Sequence, residues 1–364
     1  MRTSGFNLLR TGWLVAGPRR FLGFMVVSLV TSLLILGCSP TNGKTNEQTG
    51  PITIGFSVAT DTFVIERWNK DIKIFTSSAA ELGAQVIFQL SAGGAAAQIN
   101  QIRYLLDQNI DVLVVLPHDM EMLSGVIRQA NDRRIPVIAY DRIIRDVPIA
   151  AYVSFDNEEV GRLFARALTR QVPRGNYIIL NGSVRDNNSY LVNQGLYEVL
   201  KPSLDRGDIQ LIEEIWLEEW SADEATARLR PVLARSTNVQ AISAANDQLA
   251  NAAINLLSEL RMAGEVAVVG QDADLLSAQR IVEGLQLMTV YKPIGRLATR
   301  AAYLAVALAN GNPPPPDRFI ENGSDQPIPF YMEVPLSVTR ENIDETIIRD
   351  GFHSAADVYR TVAD

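Results

Sequence analysis

A single cysteine, Cys38, stands in 364 residues, so no disulfide can close within the chain. Two histidines, His118 and His353, lack a second His or Cys at metal-ligand spacing, which argues against zinc. No G-x-S-x-G elbow and no G-x-x-x-x-G-K-[ST] loop occurs, which removes the nucleophile turn of hydrolases and the phosphate cradle of nucleotide-binding ATPases. The one glycine-rich stretch, "SAGGAA" at 91–96, lacks the G-x-G-x-x-G spacing and reads as a turn opening a helix. Carboxylates are plentiful, yet nothing pairs two of them as acid and nucleophile, so glycosidase chemistry has no support. Basic charge is scarce as well. The net charge is −8, and residues 1–37 hold four arginines and no acid, leaving 29 basic against 41 acidic residues, a balance of −12, in the remainder. Without a basic stripe to neutralise phosphates, a nucleic-acid partner is excluded.

What is present begins with one long apolar run. Arg19 and Arg20 precede "FLGFMVVSLVTSLLILGC", uncharged to Gly37-Cys38, in the order of basic, apolar and small residues that marks an export signal. "ILGC", 35–38, resembles the lipobox of bacterial lipoproteins, whose cysteine is acylated and becomes the first mature residue. The expectation is a signal peptide over 1–37 and a membrane anchor at Cys38, with the body outside the cytoplasm. An uncleaved anchor helix is the alternative. "SPTNGKTNEQTG", 39–50, is polar and aperiodic, as a flexible tether is; the tether is expected over 38–51.

From Ile52 onward short apolar runs alternate with amphipathic stretches. Strands are predicted at 52–57, 84–89, 111–116, 135–140, 150–154, 176–180, 209–216, 239–244, 265–270 and 286–291. Helices are predicted at 66–82, 93–107, 119–132, 156–171, 187–201, 221–235, 246–261 and 293–310. Regular β-α-β alternation predicts an α/β protein with parallel sheets, and so many strands predict two sheets rather than one. Crossings between lobes are expected near Phe155–Asn157 and Tyr291–Pro293, with "NGNPPPPDR" (310–318) a surface linker near a third. Lobe I is then 52–155 plus about 292–320, and lobe II is 156–291 plus about 321–364.

Ligands of such sheets collect at the carboxyl ends of strands. The strand ends here share a habit. "IPVIAYDR" (135–142) runs from apolar core into Asp141 and Arg142, side chains that a core excludes. The strand at 176–180 runs into "NGSVRDNNS", the next sites give Asn246-Asp247 and "QDAD" (271–274), and the last gives Lys292. Tryptophan is rare: Trp68, Trp216 and Trp220 are all that remain after the export signal. Trp216 reads as strand core. Trp220 precedes "SADE", a capping box with Ser221 as N-cap and Glu224 three residues on, so it is either a staple onto Ala225 or a flat face at the cleft. Aromatic planes with Asp, Asn, Arg and Lys around their rim are what a sugar ring requires.

Residues 52–355 resemble the periplasmic sugar-binding proteins of ABC transporters, most closely their D-xylose-binding branch. The resemblance is carried by "IERWNKD" (65–71), "IPVIAYDR", "YVSFDNEEVG" (152–161), "DNN" (186–188), "ANDQLA" (245–250), "VVGQDAD" (268–274), "MTVYKPI" (288–294) and "IIRDGFH" (347–353). It implies two Rossmann-like lobes joined by a hinge, the type I periplasmic binding protein fold, closing as a monomer on one pyranose. It also implies no cofactor, no catalysis and an ABC permease as partner. Residue by residue, Arg67, Asp141, Arg142, Asn188, Asn246, Asp272 and Lys292 would hydrogen-bond the sugar, and Trp68 and Trp220 would stack on it. Asp141 and Arg142 would then accept from and donate to hydroxyls, each helping to keep the other charged. Two departures stand out: the lipobox, and the segment "SVATDTFV", longer than the family's, which would bring Phe63 toward a ligand. A sugar sensor docking on a histidine kinase and a multiple-sugar receptor remain alternatives. A sugar-sensing repressor is disfavoured, because an export signal takes the place of its helix-turn-helix.

Overall fold

A computed structural model describes residues 50–60, 65–236 and 238–360. The chain divides into two units, Met1–Glu47 and Gln48–Asp364, and every described residue belongs to the second. The predicted signal segment, Cys38 and Phe63 lie outside the described residues.

The chain starts with β1 (Thr53–Ala59), α1 (Ile65–Glu81), β2 (Gln85–Ser91), α2 (Gly94–Leu106), β3 (Val112–Leu116), α3 (Ser124–Asp132), β4 (Val137–Tyr140) and β5 (Ala151–Phe155). It continues with α4 (Asn157–Gln171), β6 (Gly175–Ser183), α5 (Asn187–Asp205), β7 (Ile209–Leu217), α6 (Ala222–Arg235), β8 (Ala241–Ala244), α7 (Asp247–Glu259), β9 (Ala267–Gln271), α8 (Leu275–Glu283) and β10 (Met288–Tyr291). Then follow α9 (Ile294–Ala309), β11 (Arg318–Ile320), β12 (Ile328–Glu333), β13 (Leu336–Val338), a π-helical turn at Asp344–Ile348 and α10 (Ala355–Val358).

Two sheets result. The first has the order β11-β12-β5-β4-β3-β1-β2 and the second β13-β10-β9-β8-β6-β7. All pairings are parallel except β11 with β12 and β10 with β13. The central strands read as unbroken apolar runs because both faces are covered. In β3, "VLVVL", every residue is buried, with Val112, Val114 and Leu116 in one core and Leu113 and Val115 in the other. Helix ends follow local chemistry: Asp156 caps α4 by accepting from Glu159 N, and Glu158 and Glu159 fill its first turn, where carboxylates meet the positive end of the helix dipole. Where α4 crosses α5, Gly161 and Gly195 let backbones meet; a Cβ at either would sit 1.9 Å from a carbonyl oxygen of the other helix.

The chain passes between the sheets after Phe155 and after Tyr291, and a third time between Glu333 and Leu336. The third passage is later than expected. The sequence placed it near 310–320, but β12 pairs in parallel with β5, so residues up to Glu333 stay with the first sheet. The proline run hid this, since it precedes an edge hairpin rather than a crossing. Asp156 N donates to Glu333 O at 3.0 Å and ties the first and third passages together. Trp216 is also corrected. It is half-buried on edge strand β7, alternating with buried Ile215 and Leu217, and stacks on Tyr190 with centroids 4.8 Å apart.

Candidate functional site

The carboxyl ends of the strands of both sheets meet at one cleft. A cavity there is lined by all nine residues singled out from the sequence, together with Asp186 and Gln271. Arg67 and Trp68 come from the first turn of α1, and Asp141 and Arg142 from the end of β4. The second sheet supplies Asp186 and Asn188 before and in α5, Trp220 before α6, Asn246 at the cap of α7, and Gln271 and Asp272 at the end of β9. Lys292 stands on the second crossing.

Two of the carboxylates sit on bends that L-residues rarely adopt. Asp141 has φ 62° and Asp272 has φ 97°, followed by Ala273 at 56°. Such backbone costs on the order of 1–3 kcal/mol and persists where the surroundings hold it. The holding bonds are present in both lobes. Asp141 N donates to Val153 O at 2.8 Å, and its carbonyl accepts from Tyr152 OH at 3.0 Å, Ser154 Oγ at 2.6 Å and Asn188 Nδ2 at 3.1 Å. Asp272 N donates to Val290 O at 2.8 Å, Ala273 N to Thr289 Oγ1 at 3.2 Å, and Ala273 O lies 2.7 Å from His353 Nε2. A positive-φ bend thus occurs at both strand ends, each tied to the neighbouring strand, and each places its carboxylate in the lining of the cleft.

The charges interlock across the cleft. Arg67 bonds Asp141 on its own lobe and Asp272 at 3.3 Å on the other, with Asp71 at 3.9 Å beneath it. Its guanidinium lies over Trp68, 4.3 Å from the ring centroid. Arg142 Nε bonds Asp186 Oδ2 at 2.8 Å, and the same oxygen accepts from Trp220 Nε1 at 3.1 Å. Lys292 Nζ lies 3.7 Å from Asp272. Asp141 and Arg142, adjacent in sequence, therefore find their partners elsewhere: Arg67 for the one and Asp186 for the other. Burial pushes the Asp141 carboxyl up, but Arg67, then Lys292 and Arg142, more than offset this and hold it below the usual carboxylate range. For Asp186 burial prevails over Arg142 and the carboxyl is raised. Asp71, desolvated beneath Arg67 and bonded by Tyr140 OH, is pushed up to about 7.

Local chemistry orients the remaining groups. Asn246 Oδ1 is engaged by Leu249 N at 2.9 Å as the helix cap, which leaves its amide nitrogen for the cavity. Asn188 Oδ1 accepts from Asn157 Nδ2 at 3.0 Å and its Nδ2 donates to Asp141 O, so its amide bridges the lobes. The six-membered ring of Trp220 packs against Gly182, where a Cβ would come within 2.2 Å of the indole. Its neighbour Ser221 caps α6 by accepting from Glu224 N at 3.2 Å. The Glu224 carboxylate reaches back past Ser221 to Glu218 N and Glu219 N, so the expected reciprocal arm of the box lands earlier in the chain.

Asp71, Asp186 and Gln271 were missed from the sequence, although each lies inside a segment already singled out. Asp186 is the N-cap before Asn188, and Asp71 is one helical turn after Arg67; both spacings were legible. Gln271 gave no such signal. Among the described residues no group of three or more His, Cys, Asp and Glu is placed to hold a metal ion, and no helix is long and apolar enough to cross a membrane.

Residues 54–313 match the family model described as the periplasmic binding protein domain. The D-xylose-binding periplasmic protein of Haemophilus influenzae is 40% identical over 334 residues, 92% of this chain and 100% of its own. That of Escherichia coli is 40% identical over 335 residues, 92% of this chain and 98% of its own. A carbohydrate transporter solute-binding protein from Chloroflexus aurantiacus, solved in complex with D-glucose, has a TM-score of 0.77 at 26% identity and covers 84% of this chain and 97% of its own.

Proposed function

The chain belongs to the periplasmic binding protein family, and we propose that within it the protein is an extracytoplasmic receptor that captures D-xylose and hands it to an ABC-type sugar permease. The observation that carries this is the balance of the cavity. Arg67, Arg142 and Lys292 face Asp141, Asp186 and Asp272, three cations against three carboxylates, with two indoles in the lining, one from each lobe. Such a lining offers donors and acceptors in equal measure and favours a neutral polyol over an anion or a cation. In this reading Arg67, Asp141, Arg142, Asn188, Asn246, Asp272 and Lys292 hydrogen-bond the hydroxyls, and Trp68 and Trp220 cover the ring faces. Asp186 orients Arg142 and Trp220 together. The resemblance to D-xylose-binding relatives at 40% identity supports the choice of pentose.

The signal and anchor are part of the same proposal: Cys38 carries a lipid that holds the receptor at a membrane. Metabolic labelling with a palmitate analogue should mark the wild type and not Cys38→Ser; label on the variant removes the anchor.

Specificity is tested by calorimetric titration of the full chain with xylose, arabinose, ribose, glucose and galactose. The hydroxymethyl group that glucose adds at C5 must displace a side chain or bury a hydroxyl without a partner, at ~1–3 kcal/mol. Xylose should bind at micromolar Kd or tighter, with glucose at least about tenfold weaker. Equal affinity for glucose or galactose would make this a multiple-sugar receptor, and no binding of any of the five would end the sugar reading.

A further inference from the structure

Beneath the sugar cavity stands a carboxylate that the binding shell does not use. Asp71 lies one helical turn past Arg67 on α1 and is 1% exposed. The Arg67 guanidinium has three nitrogens, and each faces an aspartate. Nη2 bonds Asp141, Nη1 bonds Asp272 of the other lobe at 3.3 Å, and Nε lies 3.9 Å from Asp71 Oδ2. The third contact is incomplete. Both Nε and Asp71 Oδ2 are buried, and neither has a hydrogen-bond partner among the described residues. They stand too far apart to bond, yet close enough that a small rotation of the guanidinium joins them. Asp71 Oδ1 is already engaged, by the hydroxyl of Tyr140 at the end of β4.

The groups that act on Asp71 come from both lobes: Arg67, Tyr140 and Asp141 from its own, and Asp272 from the other. Elsewhere on α1, Lys70 lies over Phe352 and Lys73 is exposed. On α9, which packs along α1, Arg296 is exposed and Arg300 pairs with Asp317 and Glu333. Strands β1 and β2 carry no charged residue, and Lys292 pairs with Asp272. Parting the lobes therefore acts on Asp71 in one direction. Asp272 leaves with the second lobe, taking a negative charge away and releasing Nη1 of Arg67, whose guanidinium can then complete its bond to Asp71. Both changes favour the carboxylate, and bringing the lobes together reverses both. With the lobes together, burial raises the Asp71 carboxyl to about 7; Arg67 and Tyr140 oppose the rise, and Asp141 and Asp272 add to it.

We propose that Asp71 is the positioning residue of Arg67, and that closure of the lobes on sugar is coupled to uptake of a proton at its carboxyl. With the lobes apart, ionised Asp71 holds the guanidinium on its own lobe; with the lobes together, protonated Asp71 yields it to Asp272. This coupling rests on the monosaccharide reading of the cavity above it. Its sign follows from linkage. The closed form binds the proton more tightly, so affinity for sugar is greatest at low pH and falls as pH rises through about 7.

The test is calorimetric titration of the full chain with xylose from about pH 5.5 to about 8.5, repeated near pH 6.5 in buffers of different ionisation enthalpy. Wild type, Asp71→Asn and Tyr140→Phe are compared, with a thermal melt of each variant. Wild type should take up roughly a third to a half of a proton per sugar near pH 6.5, and its Kd should rise about three- to tenfold over the range, the effect of one partly screened charge. Asp71→Asn keeps the shape of the side chain but cannot ionise, and should lose both the uptake and the rise. Tyr140→Phe removes the hydroxyl that favours the anion and should move the rise to higher pH. Xylose binding to wild type with no proton uptake and a flat Kd would overturn the coupling and leave the receptor intact. So would an Asp71→Asn variant, folded by its melt, that takes up as much proton as the wild type. Should Asp71→Asn fail to fold, Tyr140→Phe decides: a pH profile that stays at the wild-type position overturns the assignment to Asp71. Failure of wild type to bind xylose at any pH would instead overturn the monosaccharide reading beneath it.

Discussion

At the scale of single residues, the site is a set of charges each held by more than one neighbour. Asp272 touches Arg67 and Lys292, so truncating it removes the carboxylate paired with the buried Lys292 and one of the carboxylates around Arg67, which keeps Asp141. Asp272→Ala should cost ~2–5 kcal/mol in xylose affinity, mostly as faster dissociation, read by calorimetry and stopped-flow; a loss below tenfold would move the ligand away from this edge. Asp71 makes a different prediction. Its carboxyl stands near 7 in the fold against 3.8 unperturbed, because burial outweighs Arg67 and Tyr140. A raised folded value means that the protonated form is favoured by folding. The stability it contributes is therefore complete below about pH 4 and lost as pH rises toward 7. The difference in unfolding free energy between wild type and Asp71→Asn should fall over that window and level off above it, by about 4 kcal/mol at most. A difference that is flat from pH 4 to 8 would show Asp71 ionised throughout.

At the scale of elements, the strand end is the working unit. The alternation of apolar runs and amphipathic stretches made the β-α order legible, since a strand covered on both faces leaves no ambiguity of side. The polar residues gathered at strand ends were legible for the same reason: they break the apolar run where the sheet stops. What was not legible was long-range pairing. Nothing in "IPFYME" says that it lies beside Ala151–Phe155, and the third crossing was misplaced for want of that contact. Trp216 and Trp220 show the same limit at close range. Both flank one strand end, and only the pairing of β7 at the sheet edge decides that the first packs on Tyr190 and the second faces the cleft. Gly182 is the element that seats Trp220. Gly182→Ala would put a methyl within 2.2 Å of the indole, and the ring must tilt away from the strand. The variant should fold, lose on the order of 1–3 kcal/mol of stability to overpacking, and show a weakened xylose-dependent change in tryptophan fluorescence. An unchanged fluorescence titration would mean that Trp220 does not cover the sugar.

At the scale of the whole molecule, the two sheets are joined through their charges as much as through the chain. Arg67 to Asp272, Arg142 to Asp186, Asn188 to Asp141 and Met120 N to Arg185 O at 3.1 Å all run from one lobe to the other. A ligand that touches both lobes favours the arrangement in which they are together. Saturating xylose should therefore lower the radius of gyration in small-angle scattering, and Asp186→Asn, which weakens one cross-lobe tie, should raise it in the absence of sugar. No compaction alongside calorimetrically proven binding would mean a pocket formed in advance.

The three passages between the sheets have a mechanical consequence. In the first sheet they leave from the adjacent strands β5 and β12, and in the second they meet the adjacent strands β10 and β13. Two of them are bonded to each other through Asp156 and Glu333. Three connections gathered along one edge act as the spine of a book: they permit the covers to swing about a single axis and resist shear and twist. A pair of spectroscopic labels on α2 and α6, one helix in each lobe, should then read the swing as a change of distance on adding sugar.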